Sequence, residues 1–329
     1  DSVLVLPGDL DGDRDMDLVL LRSGAPEKVF RNALAKNFQE AKLDGLDIRG
    51  DRGGALQHFN GDGLLDLLVL RGEPATLQLF LGDGHGYFQP SATFAEGAQA
   101  AAAAGPLRGF RVADVDLDGD LDIALFSREG HLLINEGTER FTFQPGVWKP
   151  APDNELVGAE LADLTGDLVP DLLLLERGKT GRVALLPGEL TPPSTALSLA
   201  PSGVQSRDKR TRSPASGYGV TATVRAGLRE QSRNHTGQSG GFNQSPLPLV
   251  FGLGGAPRAD YVRFIWPDGV AQVETAQPAG QHRKVAENQR KIASCPVLFT
   301  WNGTRFEVIT DFAGVGGLGY LAAPGEYSY

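Results

Sequence analysis

The chain has 329 residues, of which 41% are hydrophobic, and its formal net charge is -10 at pH 7. This negative balance argues against a nucleic-acid surface, and no apolar run approaches the roughly 20 residues of a membrane span. With 43 glycines and 21 prolines, the composition favours short strands joined by tight turns. The single cysteine, Cys295, excludes an internal disulfide.

An acidic segment recurs four times, at intervals of 49, 56 and 49 residues. Its last aspartate is always followed by an apolar run, and in three copies a Phe-Gln pair stands 21 or 22 residues after that aspartate. Two markers in the same register indicate a structural repeat, whereas a β-sandwich with accidental aspartate turns would not keep that register. The four segments span residues 9–17, 58–66, 114–122 and 163–171.

Each repeat is predicted to form one blade of an all-β propeller. The apolar runs after the loops, such as 67–70 and 123–126, are continuous, so both faces of these strands should be covered. Neighbouring blades supply that cover in a propeller. The alanine-rich stretch 98–105 is expected to account for the longer middle interval. The next strand of each blade is predicted at residues 28–32, 76–81 and 131–135.

Alternating aspartates predict a calcium site in the first and third loops. Ca²⁺ takes six to eight oxygens at roughly 2.3–2.6 Å from carboxylates, carbonyls and water. Positions one, three, five and nine can supply carboxylates to one cation, and position seven can supply its carbonyl. Without a cation these carboxylates repel one another, so metal binding and folding should be coupled. The predicted ligands are Asp9, Asp11, Asp13, Asp15 and Asp17 in the first loop, and Asp114, Asp116, Asp118, Asp120 and Asp122 in the third.

The second and fourth loops are weaker candidates. His58 stands at the first position of the second loop, and a hard cation disfavours imidazole, so this site is expected to be empty or of low affinity. An EF-hand is excluded for the strong loops because position twelve is Leu20 or Leu125 instead of an acidic residue. The remaining predicted ligands are Asn60, Asp62 and Asp66 in the second loop, and Asp163, Thr165, Asp167 and Asp171 in the fourth.

Through the loop pattern D-x-[DN]-G-D-x-x-x-D-L, residues 1–192 resemble the FG-GAP or VCBS repeats of integrin-α-like propellers. The resemblance implies a calcium-binding propeller that usually has seven blades. Four repeats are visible, so further blades upstream of Asp1 are expected.

A linker rich in proline, serine and threonine is predicted over residues 193–216. Residues 217–288 then resemble an ASPIC/UnbV domain, which is expected to be small and β-sandwich-like. The pairing of this domain with the repeats is similar to the cartilage acidic protein family, and that similarity implies an extracellular or periplasmic location. Residues 289–329 are predicted to form a β-hairpin around Asn302 and Gly303 at the start of a further domain. The resemblance to the ASPIC/UnbV domain rests on residues 219–220, 238–245, 251–254 and 266–269.

The sequence favours a non-catalytic binding, adhesion or scaffold module with Ca²⁺ as its cofactor. A protein or glycan partner is expected on the propeller surface. Two alternatives stay open, a structural subunit of a larger cell-envelope assembly and a hydrolase that uses the propeller face. The hydrolase is disfavoured because no base, nucleophile and orienting group converge in the sequence. The G-x-S-x-G match at 237–241 lacks the preceding strand and following helix of a nucleophile elbow.

Overall fold

A computed structural model describes most of the chain and divides it into two compact units, Asp1–Glu287 and Asn288–Tyr329. Strands dominate the secondary structure, which confirms the all-β prediction. Within the described ranges, no helix has the length and apolar character needed to cross a membrane. The ranges outside the description are 1–2, 23–24, 33–36, 42–50, 138, 180, 191–193, 205–212, 239, 241–245, 289–296, 305, 312–319, 324–325 and 329.

Each repeat forms one antiparallel sheet whose strands follow chain order. The first blade contains β1 (Val3–Gly8), β2 (Asp17–Arg22), β3 (Lys28–Asn32) and β4 (Phe38–Ala41). The second contains β5 (Asp51–Gln57), β6 (Asp66–Arg71), β7 (Thr76–Gly82) and β8 (Phe88–Pro90). The third contains β9 (Gly109–Ala113), β10 (Asp122–Phe126), β11 (Gly130–Asn135) and β12 (Phe141–Trp148). The fourth contains β13 (Glu155–Ala162), β14 (Asp171–Arg177) and β15 (Arg182–Leu186).

Successive blades pack face to face through their second strands. Alternate residues of β6 face the first and third blades, and alternate residues of β10 face the second and fourth. The predicted cover on both faces of these two strands is therefore confirmed. The three shared cores contain Val19 and Leu21 with Leu67 and Val69, Leu68 and Leu70 with Ile123 and Leu125, and Ala124 and Phe126 with Leu172 and Leu174.

The fourth blade has an apolar face that nothing in the described part of the chain covers. On this face Leu175 of β14 pairs with Val183 of β15, and both side chains are exposed. Leu185 and Val157 are exposed as well. The opposite face packs on the third blade through Leu172 and Leu174, so the blade is half covered.

The alanine-rich stretch folds as a helix, α1 (Phe94–Ala103), which the strand-based reading of the sequence missed. The helix packs between the second and third blades through Phe94, Ala98 and Ala101. Small side chains allow this close approach, since a Cβ on Gly97 would lie 2.9 Å from the Phe141 carbonyl oxygen. The insertion explains the longer middle interval between loops.

A second group of strands forms two sheets, ordered β19-β16-β22 and β18-β17-β20-β21, which we call the β-domain. Leu197 and Phe251 of the first sheet share a core with Val224, Phe264 and Trp266 of the second, so the β-sandwich-like prediction is confirmed. The strands are β16 (Ala196–Ser202), β17 (Val220–Ala226), β18 (Arg229–His235), β19 (Leu249–Gly252), β20 (Arg258–Ile265), β21 (Ala271–Pro278) and β22 (Gln281–Ala286).

The linker predicted over 193–216 is wrong in its first part, because β16 lies inside that range. This strand pairs antiparallel with β19 and parallel with β22, so its backbone groups are satisfied within the β-domain. Prolines and serines suggested a solvated segment, but Leu197 and Leu199 are buried in the core. The β-domain therefore begins before the predicted boundary at residue 217.

The unit Asn288–Tyr329 contains two hairpins. The first joins β23 (Val297–Trp301) to β24 (Phe306–Asp311) across Asn302 and Gly303, as the sequence predicts. The second joins β25 (Tyr320–Ala323) to β26 (Glu326–Ser328).

The packing of the blades predicts different costs for two leucines at equivalent repeat positions. Leu70 and Leu175 each stand four residues after the last loop aspartate, but Leu70 is 0% exposed and Leu175 is 49% exposed. Leu70→Ala should lower the free energy of unfolding by about 2–5 kcal/mol because it leaves a cavity, whereas Leu175→Ala should cost about 1 kcal/mol or less. Urea denaturation of both variants tests this, and equal costs would contradict the packing.

Candidate metal centre

The ninth-position aspartate of each loop is fully buried and connects three parts of its blade. In the first blade, Asp17 Oδ2 accepts a hydrogen bond from the Leu10 N–H at 2.9 Å, and Asp17 Oδ1 accepts one from the Asn32 N–H at 2.8 Å. The carboxylate thus joins the loop to the end of the third strand. The corresponding N–H pairs are Phe59 and Gly82 for Asp66, Val115 and Asn135 for Asp122, and Leu164 and Gly188 for Asp171.

The aspartate at position one stabilises the conformation of its own loop. Asp9 accepts backbone hydrogen bonds from Gly12 at 2.8 Å and Arg14 at 3.1 Å, and Asp163 repeats this with Gly166 and Leu168. The loop also requires two residues with positive φ, at positions four and six. The four residues at position four are Gly12 (φ 76), Gly61 (φ 74), Leu117 (φ 56) and Gly166 (φ 85).

Carboxylates at positions one, three and nine converge in the first and third loops. In each group every residue offers one oxygen, and the three oxygens lie within 4.8 Å of one another. That separation suits donors around a Ca²⁺ ion with Ca–O distances of about 2.4 Å. The groups are Asp9, Asp11 and Asp17 in the first loop, and Asp114, Asp116 and Asp122 in the third.

Position five adds negative charge beside each group. Burial raises the pKa of Asp13, and the charges of Asp11 and Asp15 raise it further. Burial and the charge of Asp118 raise the pKa of Asp116 in the same way. Ligation by Asp13 and Asp118, and by the carbonyls of Asp15 and Asp120, stays a prediction.

Asp114 tests whether the donor set fits a cation. The residue is only 4% exposed, and its Oδ2 accepts hydrogen bonds from the Gly119 and Gly252 N–H groups at 3.0 Å each. Its Oδ1 is buried and has no hydrogen-bond partner among the described residues. A buried carboxylate oxygen left without a partner is costly, and a bound cation would remove that cost. The third loop therefore fits Ca²⁺.

Burial also holds protons on these carboxylates when no cation is bound. It raises the pKa of Asp17 to about 6 and the pKa of Asp114 to about 7, and it raises the pKa of Asp122 well above the ordinary aspartate range. Neighbouring loop carboxylates add to each rise, while hydrogen bonds from backbone N–H groups oppose it. Burial likewise raises the pKa of Asp66 to about 7.

The second loop is closed by hydrogen bonds of its own. His58 Nδ1 lies 2.7 Å from the Leu64 carbonyl oxygen, and burial lowers the pKa of His58 to about 4. The neutral imidazole of His58 thus donates a hydrogen bond at position one, where the aspartates of the other loops accept hydrogen bonds. Asn60 Nδ2 donates to Asp62 Oδ2 at 2.9 Å. Metal ligation by Asn60, Asp62 and Asp66 stays a prediction.

In the fourth loop, Thr165 Oγ1 lies 3.4 Å from Asp171 Oδ1, and Asp167 Oδ1 accepts a hydrogen bond from the Val169 N–H. Asp163 uses both carboxylate oxygens to fold the loop. Over the stretches that the structure describes, neither this loop nor the second forms a carboxylate group like those of the first and third.

The β-domain covers the face of the propeller on which these loops lie. Arg233 is buried, with its Nη2 4.0 Å from Asp114 Oδ2, and Arg229 forms ion pairs with Asp118 and Asp120. A cavity of about 440 Å³ between the loops and the β-domain is lined in part by Asp114 and Arg233. The sequence analysis missed these arginines, whose only signal was two cations four residues apart in an acidic chain.

Two family models match the chain. The model described as FG-GAP-like repeat matches residues 58–125 and 114–174, and the model described as ASPIC and UnbV matches residues 210–292. The first blade lies before these matches, yet Asp17 makes the same pair of hydrogen bonds there as Asp66 and Asp122 make in the matched blades. No curated protein matches the chain.

The raised pKa values predict that the calcium effect grows with pH. In the folded chain without metal, the pKa values of Asp17 and Asp114 are raised to about 6 and about 7, whereas the unfolded chain releases these protons near 3.8. The folded state then binds more protons between these limits, so its stability falls as pH rises through this window. A cation binds the ionised carboxylates. The increase in the melting temperature of the protein on adding calcium should therefore be larger at about pH 7.5 than at about pH 5.

Thermal melts of metal-stripped protein, with and without about 2 mM Ca²⁺ at each pH, measure this difference. The lowered pKa of His58 makes the stability of the fold rise with pH. This contribution is the same with and without calcium, so it cancels in the difference between the two melting temperatures. A larger increment at the lower pH would contradict the prediction.

Proposed function

The chain carries FG-GAP-like repeats and an ASPIC and UnbV domain, and from this pairing we propose a calcium-stabilised, non-catalytic binding or scaffold protein that acts outside the cytoplasm. The blades supply a rigid frame, and the loop aspartates are structural ligands. Both domain types fit a non-catalytic binding or scaffold role.

The unpartnered Oδ1 of Asp114 carries the calcium part of the proposal. Hydrogen bonding alone accounts for both oxygens of Asp17 and of Asp9, so those carboxylates have a purpose without a metal. Asp114 Oδ1 has none within the described structure, although it is buried beside Asp116 and Asp122. A divalent cation satisfies this oxygen and neutralises its neighbours in one step.

The proposed location supplies calcium at the concentration that sites of this kind require. Extracellular calcium modules bind at about 10⁻⁴–10⁻³ M, and such sites fill at the millimolar concentrations found outside cells. A chain that depends on two such sites would be under-occupied in a compartment with little free calcium. Its stability would then be highest in an extracellular or periplasmic setting.

The position of the β-domain restricts where a protein or glycan partner can bind. Its strand β18 lies against the second and third loops, so that part of the loop face is occupied by the chain itself. We therefore propose that the partner surface lies on the sides of the blades rather than on this part of the loop face. The hydrolase alternative stays disfavoured because no base, nucleophile and orienting group converge in the sequence. Ser239 of the G-x-S-x-G match lies outside the described residues.

A subunit role in a larger assembly is the second candidate, and the fourth blade favours it. Val183 is 63% exposed and lies beside Leu175 and Leu185 on one sheet face. The inner blades bury the equivalent faces against a neighbouring sheet. A blade from another chain would bury this face in the same way.

Calcium titration of the metal-stripped chain tests the proposed function. We expect two sites per chain, one in each converging loop, and a stabilisation of about 1–2 kcal/mol per site at a few millimolar Ca²⁺. Asp11→Asn and Asp116→Asn should each remove one site, because each removes a ligand charge from one group. Isothermal titration calorimetry gives the number of sites.

Asp62→Asn is the matched control, because Asp62 occupies position five of a loop whose carboxylates do not converge within the described structure. Its number of sites should stay unchanged. Absence of calcium binding by the unmodified chain, or loss of stability on adding calcium, would refute the proposal.

The assembly candidate predicts association through the fourth blade. Sedimentation should show complexes at higher protein concentration, and Val183→Lys should prevent them because it places a charge in the apolar face. Leu228→Lys is the control, since Leu228 is 97% exposed at a hairpin turn in the β-domain. The assembly candidate would be contradicted if the unmodified chain stays a monomer at all concentrations and Val183→Lys does not change the binding of any partner.

A further inference from the structure

Leu117 is the residue in which the third loop departs from the other three. Its φ of 56° lies in the left-handed region, where the other loops have glycine at the same position. A leucine there is strained, because its Cβ crowds the backbone. The strain is retained where the surroundings fix it. Here the Leu117 side chain is 1% exposed and packs against Ala196 of the β-domain.

The backbone of the same residue also contacts the β-domain region. The Leu117 carbonyl oxygen accepts hydrogen bonds from the Gly254 N–H at 3.1 Å and from Ser194 Oγ at 2.9 Å. The backbones are so close that a Cβ on Gly252 would lie 2.3 Å from the Leu117 carbonyl carbon. The β-domain region therefore contacts the backbone of the third loop as well as its charged side chains.

Two further carbonyls of the loop receive arginine side chains. The Gly119 carbonyl accepts a hydrogen bond from Arg233 Nη2 at 3.0 Å, and the Asp118 carbonyl accepts one from Arg229. Three consecutive carbonyls, at residues 117–119, thus point toward the β-domain. The first loop differs, because its contact uses the side chain of Arg14, which donates to the Gly269 carbonyl.

The cation and the β-domain would share Asp114 through different oxygens, because Oδ2 accepts the Gly252 N–H while Oδ1 has no hydrogen-bond partner among the described residues. The converging carboxylates are those of Asp114, Asp116 and Asp122, and the predicted carbonyl ligand is that of Asp120. The carbonyls of 117–119 are left for the β-domain. The loop carries five carboxylates, so a divalent cation and two guanidinium groups can be accommodated together without an excess of positive charge.

We propose that calcium in the third loop and the docked β-domain stabilise each other. The cation holds the loop backbone in the path that Gly254, Arg229 and Arg233 recognise, and the docked β-domain holds that backbone ready for the cation. This inference rests on the calcium site of the proposed function. Because coupling between two binding events is reciprocal, loosening the β-domain must weaken calcium binding by the same factor.

Hydrogen–deuterium exchange on the metal-stripped full chain tests the coupling. The Gly252 and Gly254 N–H groups donate to the third loop, so the peptide over 249–256 reports docking. Calcium should slow its exchange at least about 5-fold. Exchange in β20 and β21, which pair inside the β-domain, should change little.

Variants separate the loops. Asp116→Asn removes a ligand of the third loop and should abolish the calcium effect on the 249–256 peptide. Asp11→Asn is the matched control, because it removes the equivalent ligand of the first loop and should preserve the effect.

Leu117→Gly tests the reverse direction. It restores the residue found at this position in the other loops and keeps every carboxylate, but it removes the side chain that packs on Ala196. Calcium affinity of the third loop should fall about 5-fold or more, and the 249–256 peptide should exchange faster. Ser194→Ala removes the side-chain hydrogen bond to the Leu117 carbonyl and leaves the charge of the loop unchanged, so it is the milder variant that tests the same coupling if Leu117→Gly does not fold.

The outcomes distinguish the two claims. If the unmodified chain binds no calcium, the proposed function and this inference both fail. If calcium binds and Asp116→Asn removes one site, but exchange of the 249–256 peptide does not respond to calcium, the coupling fails and the proposed function stands. Unchanged calcium affinity in both Leu117→Gly and Ser194→Ala would also overturn the coupling.

Discussion

A buried carboxylate that accepts two backbone N–H groups is the interaction on which each blade depends. Asp17, Asp66, Asp122 and Asp171 fix the loop to the end of the third strand in the same way. This role does not depend on the first aspartate, because it recurs in the second loop, where His58 replaces that residue. Loop closure is therefore separable from the proposed cation binding.

The blades could be predicted from sequence because their signals are local. Spacing and apolar runs place β6 and β10, and the alternation of aspartates identifies the converging groups of the first and third loops. The hydrogen bonds of Asp17 and Asp66 were not predicted, since a carboxylate suited to a cation is equally suited to N–H groups. The helix Phe94–Ala103 was missed although its alanines favour a helix, because only strands were sought in the repeats. The strand Ala196–Ser202 was missed because its prolines and serines resemble those of a linker, whereas packing in the β-domain determines its structure.

The cover over the loop face could not be predicted, because its contacts join residues more than 100 positions apart. Arg233 reaches Gly119, and Gly252 reaches Asp114. One signal was present in the sequence, since Leu117 replaces the glycine of the other loops, but its meaning depends on a partner that spacing does not reveal. The strained backbone of Leu117 and its packing on Ala196 make the third loop one place where the propeller and the β-domain contact each other.

The parallel pairing of β16 with β22 has a consequence for how the β-domain is built into the chain. Leu197 lies opposite Gln281, so the strand by which the polypeptide enters the sandwich is hydrogen-bonded to the strand by which it leaves. Because the two strands run parallel, the chain enters beside Leu197 and leaves beyond Ala286, which pairs with Ser202 at the other end of the strand pair. Entry and exit are therefore separated by the length of one strand, about 15–20 Å, and the segments that flank the sandwich could not be joined directly if it were removed.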